Sequence, residues 1–171
     1  WRSTARTGTL MVKELEDVSL PYTTTILDTR AESYGGDDEF ELAVDAAASV
    51  AWSATRRRFP VRLLTGAGEL LSAKGGAEEA ETVLDRLALV ERATDADAPV
   101  DTVRRAGSGG ALVLVTGART ALTGVASVRR RFDQVVCVWV GASSDDGPPV
   151  VPGVTVIEIG DLAELAAAWP R

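Results

Sequence analysis

The sequence predicts an α/β fold: a three-layer, doubly wound, mostly parallel sheet with an antiparallel edge strand. Two observations carry this prediction. Residues 111–116, ALVLVT, and 134–140, QVVCVWV, are apolar throughout, as in strands buried on both faces of a parallel sheet. Amphipathic stretches of helical length separate the predicted strands, and this alternation is typical of a parallel sheet covered by helices on both sides.

The remaining strands are indicated by β-branched residues and by turn signals. Residues 22–28, YTTTILD, form the first predicted strand, and residues 154–159 form the last. Residues 61–65 and 69–73 flank Gly66-Ala67-Gly68, a spacing that suits a hairpin. The sequence therefore predicts six strands, with the antiparallel pair at one edge.

Five helices are predicted between and after these strands. The longest spans residues 37–58, where apolar residues recur at helical spacing, acidic residues stand at the start and three arginines at the end. Asp161 and Glu164 form a capping-box pattern before the closing helix. The other three helices are predicted at 78–92, 99–106 and 120–132.

Length and composition narrow the functional classes. A chain of 171 residues suits one domain, which we expect at residues 21–171 after an N-terminal arm at 1–20. The net charge of −7 argues against nucleic acid as a partner. The chain has no histidine and one cysteine, Cys137, which excludes histidine-assisted nucleophilic catalysis and disfavours zinc. It has no apolar run long enough for a membrane span, and because it begins with Trp1 we expect it to be part of a longer protein.

The best place for a site is the end of the first strand. In open parallel sheets, ligands bind beyond the carboxyl ends of the strands, where the strand order reverses. If the first strand neighbours the 111–116 strand, Asp28, Arg30 and Glu32 share a crevice with Thr116 and Gly117. A purely local capping role for Asp28 is the alternative interpretation.

The N-terminal arm carries a family resemblance. Residues 1–17, WRSTARTGTLMVKELED, resemble the signature of the domain of unknown function 58 family, bacterial proteins with a von Willebrand factor type A-like domain. The similarity continues through ILDTRAES, GGAEEAETVLDRLAL and ALVLVTG, and so covers most of the chain. It implies a type A-like fold in a protein that membrane-spanning helices outside this sequence anchor to the membrane, with this domain in the cytoplasm.

Type A domains often bind a divalent cation on an Asp-x-Ser-x-Ser motif after the first strand, together with a threonine and an acid from other loops. Asp28 fits the first position of that motif, but Arg30 and Glu32 stand at the two serine positions. The threonine position, near the start of the second helix, corresponds to Ala77 or Glu78. The resemblance therefore implies a degenerate metal site.

An arginine beside the aspartate supplies a fixed positive charge. We expect Arg30 to pair with Asp28 in place of a metal ion, so that the domain binds neither metal nor cofactor. The predicted function is a non-catalytic protein–protein interaction module. Its predicted contact surface is formed by Asp28, Arg30, Glu32, Thr116 and Gly117, with the loop at 141–153 beside them.

The resemblance implies a partner, because related proteins are often associated with MoxR-type AAA+ ATPases. We expect the domain to act as an adaptor to such an ATPase in a membrane-associated complex; the oligomeric state stays open. The competing hypothesis is a divalent-metal-dependent hydrolase or a nucleotide-binding enzyme that uses Asp28 and Glu32.

Two arginine triplets, at 56–58 and 129–131, end predicted helices. Helices in such folds run antiparallel to the strands, so both triplets should lie at the edge of the sheet opposite the crevice. Dipole complementarity explains their position, and contact with anionic lipid or an acidic protein is the functional alternative.

Overall fold

A computed structural model describes residues 22–141 and 147–169. The predicted arm and part of the predicted 141–153 loop, residues 142–146, therefore lie outside the described residues. Within the described ranges, six strands form one mixed sheet: β1 (Thr23–Leu27), β2 (Val61–Thr65), β3 (Gly68–Ala73), β4 (Ala111–Gly117), β5 (Gln134–Val140) and β6 (Thr155–Ile159).

The strand order is β3-β2-β1-β4-β5-β6. Neighbouring strands are parallel except for β2 and β3, which form an antiparallel pair at one edge. The predicted α/β class, the mostly parallel sheet and the antiparallel edge are thus confirmed. From β1 the chain builds outward to β3 and then returns to the other side of β1 as β4, so the order reverses between β1 and β4.

Helices cover both faces of this sheet. Along β4, Val113 and Val115 face one apolar cluster, whereas Leu112 and Leu114 face the other. The first cluster includes residues of α1 (Asp37–Arg56), α2 (Ala77–Leu87) and α5 (Leu162–Ala168), and the second those of α3 (Pro99–Arg105) and α4 (Val125–Val128).

Over the described residues no helix has the length and apolar character that crossing a membrane requires.

The predicted helix at 120–132 is wrong over its first half. The α-helix spans only Val125–Val128 and continues as a short 3-10 turn, Arg129–Arg131. Residues 118–120 turn away from β4 instead, with the backbone N–H of Thr120 donating to the carbonyl of Gly117. Thr123 and Gly124, which favour helices poorly, then delay the start of the helix. The turn leaves Thr120 at the carboxyl end of β4.

The predicted helix at 78–92 also ends early, at Leu87. Beyond it the chain runs back to the sheet, where Ala93 forms a parallel bridge with Arg30. The backbone N–H of Ala93 donates to the carbonyl of Thr29, and that of Ala31 donates to Ala93. A continued helix could not make these bonds, which place Ala93 beside the end of β1.

Two smaller predictions are confirmed. Glu164 donates its backbone N–H to Asp161 Oδ1, and its own carboxylate accepts from the backbone N–H of Gly160, a variant of the predicted capping box. The arginine triplets lie at the amino ends of the strands: Arg58 touches Gly75 near the start of β2, and Arg131 donates to the carbonyl of Gly107 before β4. Both triplets are thus at the edge opposite the carboxyl ends.

Candidate functional site

Asp28 and Thr116 meet at the reversal of strand order. Asp28 directly follows β1 and Thr116 is the last but one residue of β4, the strand beside it. The Thr116 hydroxyl donates to Asp28 Oδ2 at 2.7 Å, and both residues are buried. The structure therefore brings together the two strand ends that the sequence predicted to be neighbours.

Arg30 donates hydrogen bonds to the Asp28 carboxylate from the side of the crevice. Its Nε donates to Oδ1 at 3.0 Å and its Nη2 to Oδ2 at 2.8 Å. The Arg30 backbone N–H adds a third bond, to Oδ1 at 3.1 Å. Such a two-pronged guanidinium–carboxylate pair is stronger and more directional than a single ion pair. The predicted pairing of these two residues is confirmed.

Two further hydroxyls, which the sequence analysis missed, complete the shell of the carboxylate. Ser33 Oγ donates to Asp28 Oδ2 at 2.7 Å, and Thr120 Oγ1 lies 3.2 Å from the same oxygen. Thr120 also lies 2.8 Å from the Thr116 hydroxyl. Thr120 could have been found from the sequence, because it follows Thr116 by only four residues. The helix predicted at 120–132 included Thr120 and so obscured its nearness to the site.

The protonation of Asp28 follows from these contacts. Burial disfavours the charged form and by itself would raise the pKa of the carboxyl. The bonds from Arg30, Ser33 and Thr116 outweigh that effect, and the pKa of Asp28 is lowered from its ordinary value of 3.8. In turn, the hydrogen bond to Asp28 raises the pKa of Arg30. The pair is therefore ionised at neutral pH.

Tyr34 fixes the backbone below the carboxylate. Its hydroxyl donates to the main-chain oxygen of Asp28 at 2.5 Å, and its ring meets that of Phe40, on α1, edge to face at 5.4 Å between centroids. Burial, followed by the negative charge of Asp28, raises the pKa of Tyr34. The phenol therefore stays neutral and remains a donor.

Glu32 and Gly117 have different roles at this site. Glu32 lies on the rim, with its side chain 65% exposed and its Oε1 3.4 Å from Arg30 Nη1. Gly117 lies at a close approach of two backbones, because a Cβ at this position would stand 2.0 Å from the carbonyl oxygen of Ser33. Gly117 therefore shapes the crevice by having no side chain.

The expectation that Ala77 or Glu78 occupies the threonine position of the metal motif is wrong. Because β3 runs antiparallel to β2, its end lies next to the start of β2, at the opposite edge of the sheet. Gly76, which precedes α2, accordingly donates its backbone N–H to Thr55 near the end of α1. Ala77 and Glu78 are thus remote from the crevice. Ala98 and Thr120 line the crevice instead.

Two cavities that share Thr120, Ala121 and Leu122 in their linings lie at this edge of the sheet. The smaller, of about 160 Å³, lies between Arg30 and the start of α3. The larger, of about 700 Å³, is lined by Trp139 and by the proline-rich residues 147–152. Thr120 lines both cavities, and the exposed Arg119 lines the smaller. The charged side chains Arg30, Glu32 and Arg119 line the smaller cavity, whereas the residues that line the larger one are uncharged.

The chemistry of this crevice is limited by the Arg30 guanidinium, which contacts both Asp28 and Glu32. In the part of the chain that the structure describes, no three His, Cys, Asp or Glu side chains are grouped so that they could hold a metal ion. No protein-family model and no curated protein matches this chain.

Proposed function

We propose that this chain is a non-catalytic protein–protein interaction module of the von Willebrand factor type A-like kind, and that the crevice at the reversal of strand order is its docking surface. The observation that carries the proposal is the two-pronged pair of Arg30 and Asp28. It supplies a fixed cation at the position where type A domains often bind a metal ion.

The Asp28 carboxylate is fully engaged by its neighbours. Oδ1 accepts from the backbone N–H and Nε of Arg30, while Oδ2 accepts from Arg30 Nη2, Ser33 and Thr116. A catalytic carboxylate must have a free oxygen for the substrate, a proton or a metal ion. Freeing one of these oxygens would break contacts between the buried Asp28 carboxylate and the half-buried Arg30 guanidinium, at a cost in stability. This geometry supports binding over hydrolysis.

The rim of the crevice has the composition of an interaction surface. Glu32 and Arg119 are exposed charges of opposite sign, and both line the smaller cavity together with Arg30. Val150, in the proline-rich wall of the larger cavity, is 96% exposed. An apolar depression with charged groups around it is a common arrangement at protein interfaces, where the rim charges select the partner.

The partner that the family resemblance implies is a MoxR-type AAA+ ATPase. In this proposal the domain is the adaptor of a membrane-anchored protein and presents its crevice to the ATPase. Fold similarity alone would not support such an assignment, since one fold serves many functions. The additional support is the resemblance of residues 1–17 and of the ILDTRAES stretch to that family.

Affinity capture from the source organism tests this proposal, with captured proteins identified by mass spectrometry. The double variant Glu32→Lys, Arg119→Glu reverses two rim charges and leaves the buried pair intact. Arg130→Glu, an exposed change at the opposite edge of the sheet, is the matched control. We expect the wild type and the control to retain a MoxR-type ATPase and the double variant to lose it. Equal retention by all three would exclude the crevice as the docking surface.

The hydrolase hypothesis makes a different prediction. An enzyme that uses Asp28 and Glu32 with a divalent ion should melt several degrees higher in millimolar Mg²⁺ or Mn²⁺, because ligand binding stabilises the native state. We expect no such shift in the wild type. A shift that Asp28→Ala abolishes would favour the enzyme.

A further inference from the structure

A second depression lies at the opposite edge of the sheet, over the amino ends of β1, β4 and β5. We name it the α1/α5 groove, because those two helices form its walls. Its volume is about 510 Å³. It is lined mainly by apolar side chains, among them Val50, Ala54, Val113, Val136, Leu165 and Trp169.

One positively charged residue lines the groove. Arg57 lines it, and Arg56 and Arg58 lie on either side of Arg57 in the chain. Over residues 22–141 and 147–169, none of these three arginines forms an ion pair with a carboxylate. The fitting occupant is therefore a segment that combines apolar side chains with acidic ones.

The chain enters the fold at this same groove. Thr23, the first residue of β1, lines it, and its backbone N–H donates to the carbonyl of Pro60. The Tyr22 carbonyl accepts from the backbone N–H of Ala111, another lining residue. Any segment directly before Tyr22 thus begins next to the groove.

That preceding segment has the required composition. Residues 9–20 read TLMVKELEDVSL, with six apolar residues, three acids and one lysine. Twelve extended residues reach about 40 Å, which is enough to run along a groove between two helices. Tethering to β1 also supplies a high effective concentration, so that weak contacts suffice for docking.

We propose that residues 9–20 dock in the α1/α5 groove of the same chain, with their apolar side chains against its lining and their acids toward Arg57. The arm is then the missing cover of this face of the sheet. Docking would hold the arm at the basic edge, opposite the crevice. This inference is independent of the proposed function, because none of its residues belongs to the crevice.

Amide hydrogen exchange on the full 171-residue chain tests the proposal. In the wild type we expect residues 9–20 to exchange at least about tenfold more slowly than an unstructured peptide of the same sequence. Ala166→Trp puts a bulky ring into the groove, whereas the matched control Ala167→Trp changes the neighbouring exposed residue, which does not line it. Only Ala166→Trp should abolish the protection.

A charge reversal tests the orientation of the arm. Arg57→Glu should reduce the protection severalfold, and adding Glu14→Arg with Glu16→Arg should restore it. Exchange of β4 amides reports whether each variant is folded. Unprotected residues 9–20 in the wild type, or equal protection in the two tryptophan variants, would overturn the proposal. Protection that rises with protein concentration would also overturn it, since a second copy would then be the occupant.

Discussion

Replacing Arg30 with serine should destabilise the domain strongly, because it leaves the buried Asp28 carboxylate without its counter-charge. Removing one member of a buried ion pair costs about 3–5 kcal/mol. Here the Arg30 side chain is 17% exposed, and the backbone N–H of residue 30, Ser33 and Thr116 continue to donate to the carboxylate. We therefore expect a loss of about 2–3 kcal/mol at pH 7.

Urea denaturation at pH 7 measures this loss, with Arg130→Ser as the control for removing an arginine from an exposed position. The control should stay within about 0.5 kcal/mol of the wild type. If Arg30→Ser also stays within that range, the guanidinium does not hold the carboxylate in the way that its geometry indicates, and the reasoning from the pair fails.

The pH dependence of the same variant has a definite sign. In the wild type the pKa of Asp28 is lowered from 3.8, so ionised Asp28 stabilises the fold above that value, and the stabilisation is lost as the pH falls through the native pKa. Without Arg30 the effect of burial gains weight and the pKa of Asp28 should rise. The difference in stability between wild type and Arg30→Ser should therefore be largest near pH 7 and shrink on acidification. A difference that is constant from pH 7 to about pH 3 would contradict this account.

Three further outcomes are expected. Millimolar Mn²⁺ should raise the melting temperature of Arg30→Ser, because the serine side chain is smaller than that of arginine and frees an oxygen-rich pocket. It should not raise that of the double variant Arg30→Ser, Asp28→Asn, and equal shifts of the two variants in differential scanning fluorimetry would exclude Asp28 as the ligand. Thr116→Val should lose about 1–3 kcal/mol in urea denaturation and Thr116→Ser clearly less, since only serine keeps the buried hydroxyl that donates to Asp28. Gly117→Ala should lower the melting temperature by several degrees, because the new Cβ would stand 2.0 Å from the carbonyl oxygen of Ser33. Gly36→Ala, whose Cβ meets no atom within 4 Å, should change the melting temperature little. Similar melting temperatures for the two variants would show that the backbone relaxes.

The sequence was sufficient where one physical rule decides the structure. Continuous apolar runs occur only where both faces of a strand are buried, and residues 111–116 and 134–140 accordingly match β4 and β5 within one residue. Because the carboxyl ends of parallel strands share one edge, the meeting of Asp28 with Thr116 could also be predicted. The Arg30 pair followed from charge and proximity.

The sequence was insufficient where two rules compete. Leu122, Val125 and Ala126 have helical spacing, but residues 118–124 follow the turn that carries Thr120 to the carboxylate. A tertiary hydrogen bond outweighed a local pattern there. The predicted position of Ala77 and Glu78 is wrong for another reason: the antiparallel direction of β3 brings the helix that follows it to the opposite edge of the sheet. Ser33 was missed because no periodicity marks a residue in a short 3-10 turn.

The contacts of Asp28 also bear on how the domain unfolds. The strand order divides the sheet into two half-sheets, β3-β2-β1 and β4-β5-β6, and the seam between them is the β1–β4 pairing. One carboxylate bonds to Ser33 in the first half and to Thr116 in the second. Separating the halves would break the β1–β4 pairing and would also cost the carboxylate the Thr116 hydroxyl, a buried hydrogen bond to a charged group. We therefore expect the two half-sheets to melt as one cooperative unit.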